Sequence, residues 1–267
     1  MRIRFVKMHG AGNDFVLVDD RDGTFPCSRE VLASLGARQT GIGCEGIILV
    51  RTSDRLDFRM KFFNPDGSEA EMCGNGARCV AAFAREIGAA KSDRMRFETL
   101  AGDVGAELVG PNLVKVEMPE PKDLRENFIN SGVPHCIVPV ADLAAADVEG
   151  EGRRIRYSDA FAPAGTNVDF VSYHAPDRAG IRTYERGVEA ETGACGTGSV
   201  AAALVGVAQH GMAFPVTVRT VTGFELVIDG EFDGAAFKSV TLTGPVARVF
   251  EGEIDLDSLD RGRGDRG

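Results

Sequence analysis

Apolar residues along this chain gather in short runs separated by glycine, proline, asparagine and aspartate. The runs at 2–8, 15–19, 47–51, 56–63, 95–99, 113–118, 137–140, 168–173, 181–185, 216–220, 225–229 and 240–243 are mostly rich in β-branched or aromatic residues, so each reads as a β-strand. Two segments break this rhythm. Residues 77–87 and 199–210 are Ala-rich, apolar on nearly every face, and stop at Gly88 and Gly211. A glycine stop marks a helix C-terminus, and an all-round apolar surface predicts helices buried inside a wrap of sheet. Shorter helices are expected at 29–35 and 141–148. The stretch after Asp257 is charged and Gly-rich, so 258–267 reads as a disordered tail.

The two long helices belong to an internal repeat. Phe63-Asn64-Pro-Asp-Gly-Ser-Glu-Ala-Glu-Met-Cys73-Gly-Asn-Gly is answered by Tyr184-Glu185-Arg-Gly-Val-Glu-Ala-Glu-Thr-Gly-Ala-Cys195-Gly-Thr-Gly. Cys73 precedes the glycine of Thr99-Leu-Ala-Gly102 by 29 residues, and Cys195 precedes that of Thr220-Val-Thr-Gly223 by 28. Upstream, Gly12-Asn13-Asp14-Phe15-Val16 is answered by Gly165-Thr-Asn167-Val-Asp169-Phe170-Val171. The pattern predicts two similar α/β halves related by approximate two-fold symmetry. Each would place one Cys-Gly-x-Gly turn at the start of its buried helix. A length of 267 residues fits two domains.

Charge and cysteine usage narrow the function. A net charge of -10 and a pI near 5.0 repel phosphate backbones and anionic membranes, so neither nucleic acid nor membrane is an expected partner. No stretch approaches the ~20 apolar residues of a membrane span. The N-terminal residues lack the apolar core and cleavage site of a signal peptide, so a cytoplasmic location is expected. The six cysteines include no CxxC pair, which argues against a zinc ribbon or thioredoxin motif. Cys27, Cys79 and Cys136 read as small buried hydrophobes. Cys44 lies in a Gly-rich turn whose Gly41-Ile-Gly43-Cys-Glu-Gly46 spells GxGxxG but precedes a strand, where a dinucleotide fingerprint should follow one and open a helix.

Cys73 and Cys195 differ by context. A cysteine just ahead of a helix sits in the positive field of free N–H groups and of the macrodipole, which favours its thiolate. The glycines that follow leave N–H groups bare for a small anion such as a carboxylate. Two such turns facing across a domain cleft would place one sulfur on each side of a substrate α-carbon. One thiolate could then remove the α-proton while the opposite thiol returns a proton to the other face.

At these residues the chain resembles the diaminopimelate epimerase family. The resemblance rests on Met8-His-Gly-Ala-Gly-Asn13-Asp14-Phe15, Phe63-Asn64-Pro-Asp-Gly-Ser, Cys73-Gly-Asn-Gly-Ala-Arg-Cys79, Pro134-His135, Thr166-Asn167, Tyr184-Glu185-Arg186-Gly187, Ala194-Cys195-Gly-Thr-Gly198 and Thr243-Gly-Pro245. It implies an α/β (α+β, mixed-sheet) fold of two pseudo-symmetric domains, each a curved, mostly antiparallel sheet wrapped around a central helix. On this reading 1–118 plus about 245–257 form the half carrying Cys73, and 119–244 the half carrying Cys195. It implies a homodimer that interconverts LL- and meso-2,6-diaminopimelate, a diamino-dicarboxylic acid, for lysine and peptidoglycan precursor synthesis, with no pyridoxal phosphate and no metal. Cys73 and Cys195 would be the acid/base pair. Gly74, Asn75, Gly196 and Thr197 would hold the α-carboxylate, and Asn13, Asn64, Asn167 and Arg186 the distal amino-acid end. Glu185 and His135 would orient the substrate amine. The chain departs from many members in having Val133 for Asn before the Pro-His pair, and Glu45-Gly46 for Asp or Asp-Gln in the early Gly-rich turn. A two-cysteine enzyme of the proline racemase or hydroxyproline epimerase kind, and a non-catalytic amino-acid-binding module, are the competing readings. Glu185-Arg186-Gly187 and Asn75 favour the diaminopimelate reading.

Overall fold

In the computed structural model of the protein, which describes residues 1–174 and 176–259, strands are the commonest element and two long helices are buried along most of their length. The chain divides into two units, Met1–Val116 with the segment from Val246 onward, and Glu117–Pro245.

In the first unit, strand Arg2–Gly10 pairs antiparallel with residues 246–255 of the long strand Phe237–Asp255 and with Asn13–Asp19. From there the pairings run parallel to Gly46–Arg51, antiparallel to Phe58–Phe63, parallel to Arg94–Thr99, antiparallel to Gly102–Gly110 and antiparallel to Leu113–Glu117. In the second unit, Lys122–Arg125 pairs antiparallel with Phe128–Asn130, and that with Pro134–Pro139. The order continues parallel to Asn167–His174, antiparallel to Arg178–Glu185, parallel to Val216–Arg219, antiparallel to Glu225–Phe232 and antiparallel to residues 237–243. Both units thus follow one succession of antiparallel and parallel pairings, as the repeated landmarks in the sequence require of two copies of one supersecondary plan.

Each unit buries one long helix against its sheet. Helices are numbered in chain order: α1 Arg29–Gly36, α2 Gly74–Glu86, α3 Val148–Arg156, α4 Gly196–Gln209 and α5 Leu256–Leu259. In α2, ten residues from Gly74 to Ala84 are buried; in α4, every residue from Ser199 to Gly206 is. Val200, Leu204 and Val205 have no exposed surface, and each such side chain contributes roughly 1.5–3 kcal/mol of burial.

Both helices begin earlier than the apolar pattern suggests, at Gly74 and Gly196, because Cys73 and Cys195 are extended and act as N-caps. The short helix expected at 141–148 lies instead at α3. The Asp147 carboxylate accepts from the Gly150 N–H and starts the helix there, while the carbonyls of Leu143 and Ala146 accept from Arg182. The expected tail is also corrected at its start: residues 258–259 belong to α5, whose Leu256 is buried beside Leu32 and Leu35. Residues 260–267 lie outside the described residues. No helix among the described residues is long and apolar enough to cross a membrane.

Candidate active site

The Cys73 group is assembled by a hairpin pressed onto a helix start. Ala11 and Gly12, both at positive φ, make the two-residue turn that pairs Gly10 with Asn13. A side chain at Gly10 would meet the Asn75 carbonyl oxygen at 2.8 Å, so glycine permits the strand to lie against the first turn of α2. Asn13 therefore arrives beside Cys73 and Asn75. Its Oδ1 accepts from Asn75 Nδ2 at 3.3 Å and from the Cys73 thiol at 3.6 Å, and its Nδ2 donates to Glu45. Asn64, by contrast, bonds locally: its Nδ2 donates to Ser68 Oγ at 3.0 Å within the Asn-Pro-Asp-Gly-Ser turn. Gly74 lends its carbonyl to the Arg78 guanidinium at 3.2 Å.

The Cys195 group is built by another hairpin against the start of α4. Asn130 pairs with Pro134, and the Ser131 hydroxyl in the turn donates to the Thr197 carbonyl at 2.8 Å. The following strand carries His135, fully buried, with Nδ1 2.7 Å from the Asp169 carboxylate and Nε2 3.0 Å from the Thr197 hydroxyl. The carboxylate fixes the proton on Nδ1. Thr197 Oγ1 lies 3.5 Å from Cys195 Sγ, and the Gly198 N–H donates to that sulfur at 3.3 Å. Asp169, His135, Thr197 and Cys195 thus form one continuous polar chain. A second set lies at the end of strand Arg178–Glu185. Asn167 Oδ1 accepts from the Arg186 N–H at 2.8 Å, and its Nδ2 donates to the Pro134 carbonyl at 3.0 Å. Glu185 accepts from the Thr192 hydroxyl at 2.8 Å, and the Arg186 guanidinium reaches the Ala164 carbonyl at 3.5 Å. Gly196 is the first residue of α4 and buried.

Electrostatics separate the two thiols. Burial pushes the Cys195 thiol well above its ordinary value, and the negative charges of Glu185 and Asp169 push it further. The hydrogen bond from the Gly198 N–H pulls the other way and is outweighed. The expectation that a helix start favours the thiolate is therefore overridden at Cys195 by desolvation and two carboxylates. Cys73 is only half-buried, and its side chain makes no capping hydrogen bond to the helix it starts. Of the other cysteines, burial raises Cys44 and Cys136 to about 11 and Cys79 higher still, which keeps them protonated.

Two residues of these groups carry no role in the sequence reading. Asp169 has no exposed surface and receives both His135 and the Thr183 hydroxyl at 2.7 Å. Its signal was a carboxylate inside the apolar run Val168-Asp169-Phe170-Val171. Arg78 is likewise an unexposed cation, set among the buried apolar residues of α2. The departure at Gly46 also has a packing cause: a side chain there would meet Phe62 at 2.5 Å and Phe15 at 3.1 Å. Among the described residues, no cluster of three or more His, Cys, Asp or Glu side chains could hold a metal ion.

Solved structures identify the fold. The chain superposes on a probable proline racemase from Agrobacterium radiobacter with TM-score 0.70 at 17% identity, covering 97% of this chain and 94% of that one. A hydroxyproline epimerase from Agrobacterium vitis matches with TM-score 0.67 at 18% identity, over 96% and 93%. A phenazine biosynthesis protein of the PhzF family from Bacillus anthracis matches with TM-score 0.73 at 17% identity, over 96% and 99%. At these identities the likeness is one of fold, a mixed α+β architecture. Sequence carries the assignment to an isomerase acting on amino acids. The profile of the family described as diaminopimelate epimerase matches residues 5–123 and 127–249. A diaminopimelate epimerase of Aquifex aeolicus is 43% identical over 97% of this chain and all of its own length. That of Chlorobaculum tepidum is 40% identical over 93% and 100%. The chain belongs to the diaminopimelate epimerase family.

Proposed function

We propose that this enzyme interconverts LL- and meso-2,6-diaminopimelate by two-thiol proton transfer, in lysine and peptidoglycan precursor synthesis, without a cofactor. The observation that carries the reading is the pair of N-cap cysteines: each unit, built on the same succession of strand pairings, starts its one long buried helix at a cysteine. Cys195 supplies the proton, since burial and neighbouring carboxylates hold it as a thiol. Cys73, half-buried and beside a guanidinium, supplies the thiolate. In the reverse reaction the roles exchange.

N–H groups in the first turn of a helix have no carbonyl partner within it, so those of Gly74, Asn75, Gly196 and Thr197 suit the α-carboxylate and the enolate-like charge that develops on it. Positioned acid–base groups alone provide roughly 10²–10⁴-fold, and this electrostatic stabilisation supplies the larger share of the barrier reduction. His135, held by Asp169, orients Thr197 beside the Cys195 sulfur. Asn13, Asn64, Asn167 and Arg186 read the distal end, with Arg186 suited to a carboxylate. Glu185 stands beside the amine. The enzyme acts as a cytoplasmic homodimer.

The test is deuterium incorporation from solvent at the α-carbon. Wild-type protein exchanges and inverts LL-diaminopimelate, and Cys73→Ser and Cys195→Ser each lose inversion. Inversion of proline or hydroxyproline with no action on diaminopimelate would establish the rival substrate. Wild-type rates in both serine variants would establish a chemistry that uses neither thiol.

A further inference from the structure

Arg78 is the anomaly of the first unit. It stands on α2 among Ala77, Cys79, Val80 and Ala81, all fully buried, and has no exposed surface itself. A buried cation ordinarily requires a carboxylate partner, because its desolvation is otherwise uncompensated. No carboxylate pairs with Arg78 among the described residues. Its Nη2 donates to Asn75 Oδ1 at 2.8 Å, its Nη1 to the Gly74 carbonyl at 3.2 Å, and its Nε is unpartnered. Burial lowers the affinity of the guanidinium for its proton, and the nearby anionic forms that would offset this are the thiolates of Cys79 and Cys73. Cys79 is held protonated by complete burial, which leaves Cys73 as the neighbouring thiol whose ionisation the guanidinium favours.

The hydrogen bonds continue from Arg78 toward the sulfur. With Asn75 Oδ1 occupied by the guanidinium, the Asn75 amide can present only its Nδ2 to Asn13 Oδ1, 3.3 Å away. That same oxygen receives the Cys73 thiol. An Asn75 amide rotated by half a turn would place its own oxygen against Asn13 Oδ1, acceptor against acceptor.

We propose that Arg78 is the positioning residue of the Cys73 group: its buried fork fixes the rotation of the Asn75 amide, and its charge, close to the Cys73 thiol, favours the ionised form once the proton leaves. The proposal rests on the two-thiol reading for its use in catalysis, while its effect on the sulfur is a separate chemical property. Arg78 touches no substrate; it acts through Asn75 and across the helix start.

The experiment compares carbamidomethylation of Cys73 and Cys195 by iodoacetamide in the full chain, quantified peptide by peptide in one sample, for wild type, Arg78→Met and Arg78→Lys. Only the thiolate reacts, so loss of the cation slows Cys73 about tenfold in R78M while Cys195 keeps its wild-type rate. R78K, which restores charge without the fork, recovers most of the Cys73 alkylation rate. Its kcat for diaminopimelate epimerisation stays below wild type by a larger factor than its KM rises, because the Asn75 amide is no longer fixed. A wild-type Cys73 rate in folded R78M overturns the proposal, as does an equal slowing of both cysteines. Where R78M does not fold, R78K decides by its kinetics: wild-type kcat and KM overturn the role of the fork. Cys73→Ser separates this from the function itself. If C73S retains epimerisation, the two-thiol reading falls, whereas the alkylation rates still report whether Arg78 governs the sulfur at position 73.

Discussion

The groups around Cys73 and Cys195 share a plan and differ in charge. Each has a hairpin pressed onto the start of a buried helix, an N-cap cysteine, and glycines following it. Around Cys73 the buried ionisable neighbour is a cation, Arg78, and the sulfur is half-buried with an asparagine oxygen beside it. Around Cys195 the neighbours are the carboxylates Asp169 and Glu185, and the sulfur is enclosed and capped by the Gly198 N–H. A repeated backbone plan has thus been given opposite electrostatics. On the proposed two-thiol reading, that difference favours ionisation at Cys73 and protonation at Cys195.

The sharpest way to break the comparison is to remove either sulfur. Cys73→Ser and Cys195→Ser are each expected to lower kcat for epimerisation at least about 10³-fold, measured by α-carbon inversion, because a serine hydroxyl is far too weak an acid to serve in either direction. A loss confined to one variant would show that the groups are unequal in necessity as well as in charge.

Asp169→Asn tests what makes the Cys195 group acidic in character. The amide in D169N offers one acceptor oxygen where the Asp169 carboxylate serves two donors, so its NH₂ must face either His135 or Thr183. The expected cost is about 3 kcal/mol in urea denaturation. The sign for the thiol follows from the neighbouring charge. Asp169 raises Cys195, so its neutralisation lowers the thiol's pKa and speeds Cys195 alkylation at neutral pH while leaving Cys73 unchanged. Slower alkylation of Cys195 in this variant would contradict the assignment of cause.

The third residue after each cysteine gives a steric comparison. A side chain at Gly198 would meet Asp169 Oδ1 at 2.6 Å, whereas one at Gly76 meets Ile48 Cδ1 at 3.1 Å and Met60 Cε at 3.5 Å. The Asp169 carboxylate is pinned by two hydrogen bonds and the aliphatic ends can shift. Gly198→Ala is therefore expected to cost about 2 kcal/mol and Gly76→Ala under about 1 kcal/mol, read from chemical denaturation. The smallest effect concerns the unaltered protein. At about pH 7 Cys73 should react with iodoacetamide roughly tenfold faster than Cys195, and Cys195 should keep gaining reactivity beyond pH 9, since only the thiolate attacks.

Much of the molecule was legible in the chain. The helices after Cys73 and Cys195 show as Ala-rich segments closed by Gly88 and Gly211, and the repeat of Cys-Gly-x-Gly shows the two groups directly. The nearby residues Asn75 and Thr197 follow because they sit in the same turn. The partners were less visible. Asn13 lies sixty positions before Cys73, and Asp169 meets His135 only because strand Asn167–His174 runs parallel to Pro134–Pro139. The Asn64 amide bonds to Ser68 four residues on, a contact local enough to be legible in the Asn-Pro-Asp-Gly-Ser turn. The helix expected at 141–148 failed because local apolar spacing there competes with Asp147, a better N-cap, and with Arg182, which draws off the carbonyls.

The sequence by itself determined the periodicity, the repeat, the placement of a thiol at each helix start and the family. Those are local properties, written in spacing and in turn-forming residues. Only the tertiary structure decided the charge around each thiol. Desolvation and Coulomb interaction depend on which strands enclose a sulfur and which ionised side chains those strands carry, and such neighbours are distant in the chain. Two turns with nearly the same letters therefore hold one cysteine near a buried guanidinium and the other near two carboxylates, of which Asp169 is buried.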